Sequence, residues 1–331
     1  MKRVFAIVAC VMLLLVFAGG ALAAEKPWKL AHIRPEGTAI DVALKDFVKQ
    51  VKEKTAGRVN IEVYPASQLG DYSTVQERVS VGDIEMQTAP VTSAVIKPLG
   101  LNAFPYIVTN WDEARKAFKN GGVVYKKMAQ YLLKQDIEVI GCWPVYFGGI
   151  VLTKEPKAPA DPNVSKNVKI RVPPMRTFEL TATALGYQAT PVPWADTFTA
   201  MQTGIVEGAI GGGAEGYFSN FRDLAKYFLA VNDHFECWFT YVNKDSWDKV
   251  SAEDKKAITE IANRMEETRW KVAEADEQAN MKKLADVGVK VITFTNTELD
   301  AMRKKVAEKV WPAMYDEIPE ADVKEVLNSL K

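Results

Sequence analysis

The chain has 331 residues, with 42 Lys and Arg against 42 Asp and Glu and two His, so its formal net charge is zero. That balance excludes the electrostatic footprint of a nucleic-acid binder or of a protein held to an anionic membrane. With two His and three Cys, a His/Cys metal site is excluded as a working hypothesis, and no cofactor is implied.

Lys2 and Arg3 precede an apolar run from Val4 to Ala18, then Gly19-Gly20 and Ala21-Leu22-Ala23. Basic, apolar and small-x-small segments in that order predict a secretory signal peptide over 1–23, cleaved near Ala23. An apolar run of about 15 residues is short of the ~20 needed to span a bilayer. Without Lys2 and Arg3 the basic count falls from 42 to 40 against 42 acidic residues, a net charge of −2. The remaining length is enough for two lobes with cores of their own. Cys142 and Cys237 both lie in apolar, strand-like runs. An oxidising compartment would permit a disulfide between them; two buried thiols are the other reading.

Trp28 to Ile33 reads as a buried strand. Ile40, Ala43, Leu44, Phe47, Val48 and Val51 recur at helical spacing, and Gly57 ends that helix. Val59 to Val63 alternates as a strand, Ser73 to Val81 forms a second helix, and Ile84 to Thr88 a short strand. This alternation of strand and helix is the signature of an α/β lobe. Leu101 to Ile107, with Phe104-Pro105-Tyr106, must be a constrained connection. Two helical stretches between Trp111 and Leu133 are split at Gly121-Gly122, and Ile137 to Trp143 is a buried strand. Pro156, Pro159 and Pro162 mark an irregular excursion. A second α/β set follows: strand Lys169 to Val172, helices Phe178 to Leu185 and Ala195 to Thr203, and strand Ile205 to Ile210. Phe235 to Val242 is apolar on both faces and predicts a central strand. Ser251 and Asp254 have the spacing of a capping box and open a helix toward Asp286. About 35 residues at 1.5 Å each give ~50 Å, long enough to lie along two lobes. Val289 to Phe294 returns as a strand, and Asn296-Thr297 starts the last helices.

Catalytic signatures are missing: there is no GxSxG elbow and no Walker-type loop. His32 and His234 have no nucleophile nearby in sequence and read as satisfied polar groups near strand ends. What does recur is a polar or aromatic residue just after a strand: Arg34, Tyr146 with Phe147, Arg171 with Arg176, Trp194, and Tyr217 after Gly211-Gly212-Gly213. In α/β sheets ligands bind at the carboxyl ends of strands. An Arg there offers a planar fork that matches a carboxylate or sulfonate, and aromatic walls exclude water around it. Each aromatic taken singly is equally well ordinary core.

Ordered segments sharpen the reading. They are Val63-Tyr64-Pro65-Ala66-Ser67-Gln68-Leu69-Gly70-Asp71, Phe104-Pro105-Tyr106, Val168-Lys169-Ile170-Arg171-Val172-Pro173, Ala184-Leu185-Gly186, Thr190-Pro191-Val192-Pro193-Trp194 and Ala200 to Gly208. Together they resemble the DctP-type extracytoplasmic solute-binding proteins of tripartite ATP-independent periplasmic (TRAP) transporters. The resemblance implies a periplasmic-binding-protein-like α/β fold of two lobes, with crossing hinge strands and a long helix spanning both. Lobe I is expected over 24–146 plus 236–276, and lobe II over 147–235 plus 277–331. It implies a periplasmic monomer that captures a small organic anion for a small and a large integral membrane subunit and that is not an enzyme. A ligand-sensing receptor subunit and an exported enzyme acting on a small acid are the alternatives.

The family's signature arginine falls on Arg171, implied to pair with the ligand's carboxylate, and its wall aromatic falls on Trp194. Two places depart from the pattern: Gly211 stands where an Asn is usual, and about Gly149 where some members carry a second arginine. Arg34, Arg176 or backbone N–H groups of the glycine runs are expected to substitute. Short hydroxy- or oxo-carboxylates fit a shrunken aromatic pocket, as do short sulfonates such as isethionate. Glu36, Glu215 and Glu236 leave room for a ligand with an amine, and Trp194 or Trp238 for an aromatic acid.

Overall fold

The computed structural model describes residues 26–331, so the expected signal peptide lies outside the described residues. The first α/β run is β1 (Trp28–Ala31), α1 (Ala39–Lys54), β2 (Ile61–Tyr64), α2 (Tyr72–Ser80) and β3 (Met86–Ala89). A 3-10 segment, Lys97–Ala103, leads to α3 (Trp111–Phe118), α4 (Val123–Leu132) and the long strand β4 (Ile137–Phe147). The second run is β5 (Gly149–Leu152), β6 (Lys169–Val172), α5 (Arg176–Ala184), β7 (Gln188–Pro191), α6 (Thr197–Gln202), β8 (Gly208–Gly212), α7 (Ala214–Phe221) and β9 (Tyr227–Leu229). The chain ends with β10 (Phe235–Asn243), α8 (Lys244–Asp248), α9 (Ala252–Asp286), β11 (Lys290–Ile292), α10 (Asn296–Lys309), α11 (Trp311–Met314) and α12 (Glu320–Leu330).

Two sheets result. The first has the order β2-β1-β3-β10-β4 and the second β11-β9-β5-β8-β6-β7. β1 is parallel to β2 and β3, and β10 runs antiparallel between β3 and β4. In the second sheet β6 is parallel to β7 and β8, while β5 is antiparallel to β8 and β9. The chain crosses between sheets at Gly148, between β4 and β5, and at 230–234, between β9 and β10. These crossings touch, since Gly148 N donates to His234 O at 2.8 Å. A Cβ on Gly148 would stand 2.2 Å from the His234 ring, so no larger residue fits there.

Helix α9 runs as one piece over 35 residues and packs on α1 and β4 of the first lobe and on α7 of the second. Its buried face is unusually charged, which the backbone of β4 explains. β4 is an edge strand of its sheet, and the backbone groups on its open side must find partners. Glu266 accepts from Cys142 N at 3.2 Å, and Arg269 donates to Pro144 O at 2.9 Å. Glu277 accepts from Phe147 N at 2.7 Å and from the Trp111 indole at 3.1 Å. Burial pushes the Glu277 carboxyl up to about 7, against those two hydrogen bonds. At the start of α9 the Ser251 hydroxyl caps Asp254 N at 3.1 Å. Asp254 does not return the bond as a capping box would; its carboxylate forks Arg58 instead, at 2.7 and 2.9 Å. The complete capping box is at Thr295 and Glu298.

Several expectations shift. The strand expected over Ile205 to Ile210 begins three residues later and ends two later, at Gly208–Gly212, and Ile205 is exposed. The glycines therefore belong to the ladder, where Gly212 pairs with Gly149. The expected stretch 277–331 divides in its packing: α10 lies on α5, but α12 packs on α3 and α4 of the first lobe. Cys142 and Cys237 are free, buried thiols rather than a disulfide. Among the described residues no helix is long and apolar enough to cross a membrane.

Gly148→Ala is expected to destabilise the fold by about 3 kcal/mol, the upper end of what overpacking usually costs. Equilibrium urea unfolding measures it, and a loss below about 0.5 kcal/mol, the range of neutral substitutions, would show that the crossing is not tightly packed.

Candidate functional site

Between the two sheets lies a cavity with about 20 Å3 open to the centre of a water-sized sphere. Arg34, Tyr72, Asn102, Tyr146, Glu236 and Trp238 line it from the first lobe, and Arg171, Met175, Phe178, Trp194 and Gly211 from the second.

Arg34 is set by the turn after β1. His32 contacts Asp41 at 3.2 Å through Nε2 and receives Arg34 N at 3.3 Å on Nδ1. An accepting Nδ1 assigns the proton to Nε2 and makes the ring neutral, in keeping with burial, which lowers the His32 pKa. The Arg34 guanidinium, 1% exposed, donates to Glu215 at 2.7 Å and to the Tyr146 hydroxyl at 3.2 Å. Its carbon sits 4.7 Å from the Trp238 ring centre and 5.1 Å from that of Trp194. Burial opposes the charge, but Glu215 and Tyr146 outweigh it and raise the Arg34 pKa. Arg34 Nη1 has no hydrogen-bond partner among the described residues.

Arg171 projects from β6 and is equally buried. Backbone carbonyls hold it: Nε donates to Val192 O at 2.8 Å and Nη1 to Ile210 O at 3.2 Å. Its carbon lies 5.5 Å from the same Trp194 ring. Burial lowers its pKa, and no carboxylate forms an ion pair with it among the described residues. Trp194 is thus shared by two guanidiniums. Its turn follows Pro193, and Ala195 N donates across the cleft to Asp71 at 3.2 Å.

The floor is a charged chain. His234 Nδ1 meets Asp233 at 2.8 Å and Nε2 meets Glu236 at 3.0 Å. Glu236 also accepts the Trp238 indole at 2.6 Å. Two carboxylates on one ring favour the imidazolium. Burial works against it, yet Asp233 and Glu236 push the His234 pKa up to about 10.

Glycines make room for this packing. A Cβ on Gly211, whose φ is +83°, would lie 2.4 Å from Pro173 Cγ. On Gly213 it would meet the Tyr146 ring at 2.4 Å, and on Gly216 Arg34 Nη2 at 2.7 Å. Gly149 is blocked by the Phe228 ring at 2.5 Å. Both departures from the expected pattern therefore sit where no side chain fits.

Seven residues anticipated from sequence meet in this cavity: Arg34, Tyr146, Arg171, Trp194, Gly211, Glu236 and Trp238. Three lie elsewhere. Arg176 opens α5 partly exposed and faces Glu317 at 3.7 Å. Phe147 packs edge-on against Trp111 in the core. Tyr217 is buried behind the sheet, its hydroxyl donating within 3.0 Å of Gly149 O and Ala209 O. Of the acids considered for an amine, Glu36 pairs with Lys45 at the surface and Glu215 is taken by Arg34. Tyr72, Asn102, Met175 and Phe178 were not anticipated. Asn102 carried one signal, a polar residue inside the apolar run before Phe104-Pro105.

The family model for bacterial extracellular solute-binding proteins, family 7 (DctP), matches residues 30–318. A solute-binding protein of Chromohalobacter salexigens is 24% identical over 80% of this chain and 78% of its own length. The C4-dicarboxylate-binding periplasmic protein DctP of Rhodobacter capsulatus is 23% identical over 98% of this chain and 96% of its own. The solved sugar acid binding protein of Advenella mimigardefordensis, in complex with galactonate, superposes with a TM-score of 0.84 at 20% identity, covering 92% of this chain and 97% of that one.

The His234 cluster gives a pH test. A histidine whose pKa rises from 6.5 to about 10 on folding stabilises the fold fully below 6.5, and that contribution is lost as pH rises through 10. The stability difference between the wild type and His234→Gln should therefore shrink steadily from pH 6.5 to 10 in urea titrations. A difference constant over that window would mean the ring is neutral.

Proposed function

The chain belongs to the DctP family of bacterial extracellular solute-binding proteins, and we propose from that premise that it is the periplasmic solute-binding subunit of a TRAP transporter. In this reading it is exported by its N-terminal signal peptide and works as a monomer. It captures a small organic anion and presents it to a small and a large integral membrane subunit, and it performs no chemistry on the ligand.

One observation carries the ligand's charge. Arg171 is a buried cation held by backbone carbonyls with no ion-pair partner among the described residues. A desolvated, unpaired charge is costly, and an anion on its free edge relieves that cost with a charge-assisted hydrogen bond. Arg34, already paired with Glu215, adds positive potential without consuming the anion's first contact. The cavity has room for about one water, so short carboxylates and short sulfonates, isethionate among them, need the least parting of the lobes. A sugar acid such as the galactonate held by the Advenella protein would need the lobes farther apart.

Arg171→Ala is expected to weaken binding of a short acid at least ~30-fold, since truncating one partner of a buried charge pair costs about 2–5 kcal/mol. Trp194→Ala should cost less, about tenfold, and broaden ligand choice. Calorimetric titration of refolded, ligand-stripped protein with short carboxylates and sulfonates measures both. Equal affinity in Arg171→Ala would remove the anion from this arginine.

A further inference from the structure

Two polar atoms of this cavity's lining are buried without partners among the described residues, and they are of opposite kind. One is a donor, Arg34 Nη1; the other is an acceptor, Asn102 Oδ1. The orientation of the amide is fixed chemically. Asn102 Nδ2 donates to Cys237 O at 3.2 Å, and turning the group over would set two carbonyl oxygens against each other. The free acceptor is therefore the oxygen. Asn102 is 3% exposed, so water does not serve it from outside. Arg171 supplies the anion's counter-charge from the other lobe, and a carboxylate or sulfonate head has no hydrogen to give Asn102.

We propose, resting on the anion-binding reading above, that Asn102 selects for a hydroxyl carried beside the acid group, so that the ligand is a short hydroxy acid. A hydroxyl is one donor and an acceptor at once. It is matched to both kinds of orphan, with a hydrogen to give Asn102 Oδ1 and a lone pair to receive one from Arg34 Nη1. An ammonium satisfies only Asn102 and is repelled by the guanidinium. A bare acid satisfies neither the amide oxygen nor its desolvation cost, because a buried acceptor left unmade is penalised in full. The cavity has room for about one water, so a hydroxyl close to the head needs less parting of the lobes than a distant one. Glu236 lines the same wall with two of its sites filled, by His234 and Trp238. It adds acceptor capacity on the Asn102 side and disfavours a second acid group there.

The test is calorimetric titration of refolded, ligand-stripped protein with matched acids: propionate, lactate, 3-hydroxypropionate and alanine, and ethanesulfonate beside 2-hydroxyethanesulfonate. A hydroxylated member should bind at least about tenfold tighter than its deoxy partner, as sites built to pair a hydroxyl reject analogues lacking it. In Asn102→Leu, of similar size and apolar, that advantage should fall below about threefold. Equal binding of hydroxy and deoxy partners by the wild type overturns the proposal and leaves the anion-binding function standing, and it needs no variant to fold. Preference for alanine over lactate overturns it in favour of an ammonium. An advantage that survives in Asn102→Leu overturns the role of Asn102. If no member binds while longer acids do, the short-ligand reading falls and the proposal with it.

Discussion

Two guanidiniums share one indole in a seam almost closed to water, and most of the site follows from making that arrangement tolerable. Arg34 and Arg171 both lie within 5.5 Å of the Trp194 ring centre. A guanidinium buried away from solvent is costly unless its charge is answered. The answers differ. Arg34 takes a carboxylate, a phenol and two ring faces; Arg171 takes two carbonyl dipoles. With His234 as imidazolium, three buried cations stand against Glu215, Asp233 and Glu236. The cluster is neutral as a whole but uneven, because the acids lie with Arg34 and His234 and leave Arg171 exposed to whatever enters.

The same constraint reaches the backbone. Tyr146 and Arg34 need space on the second lobe, and Gly213 and Gly216 provide it. Proline at 173 stiffens the strand end behind Arg171 and excludes any side chain from 211. On the far side of β4, α9 answers with Glu266, Arg269 and Glu277 the irregular strand that carries Tyr146. A purely apolar helix would have left those amides and carbonyls unpaired. The long helix is thus polar along its buried face because the hinge strand it braces is the open edge of its sheet.

Much of this was readable from the residues. Alternating strand and helix patterns located the α/β runs, and the single long helix was foreseen from its cap to Asp286. Arg171 and Trp194 came from ordered motifs and from the rule that ligands meet strand ends. Tyr217 and Phe147 show where that rule stops. A large aromatic after a strand is equally suited to a pocket wall and to core, and only tertiary packing separates them. Arg176 stands five residues past Arg171, but the start of α5 turns it to the surface. The strand was expected to end at Ile210, before the glycine run, since glycine disfavours strands; close approach of the Tyr217 ring to Gly212 overrides that preference. Asn102 owes its place to a 3-10 turn whose direction no local pattern sets.

The order β2-β1-β3-β10-β4 also bears on how the chain acquires its shape. β3 and β4 have no direct contact in the ladder; residues 235–243 must arrive between them. The first sheet therefore stays incomplete until nearly three quarters of the sequence is present, after the entire second run has been made. Such pairing across long separations raises contact order and slows folding. Neither lobe is a contiguous stretch, so neither can be cut out as an independent folding unit, and the two mature together.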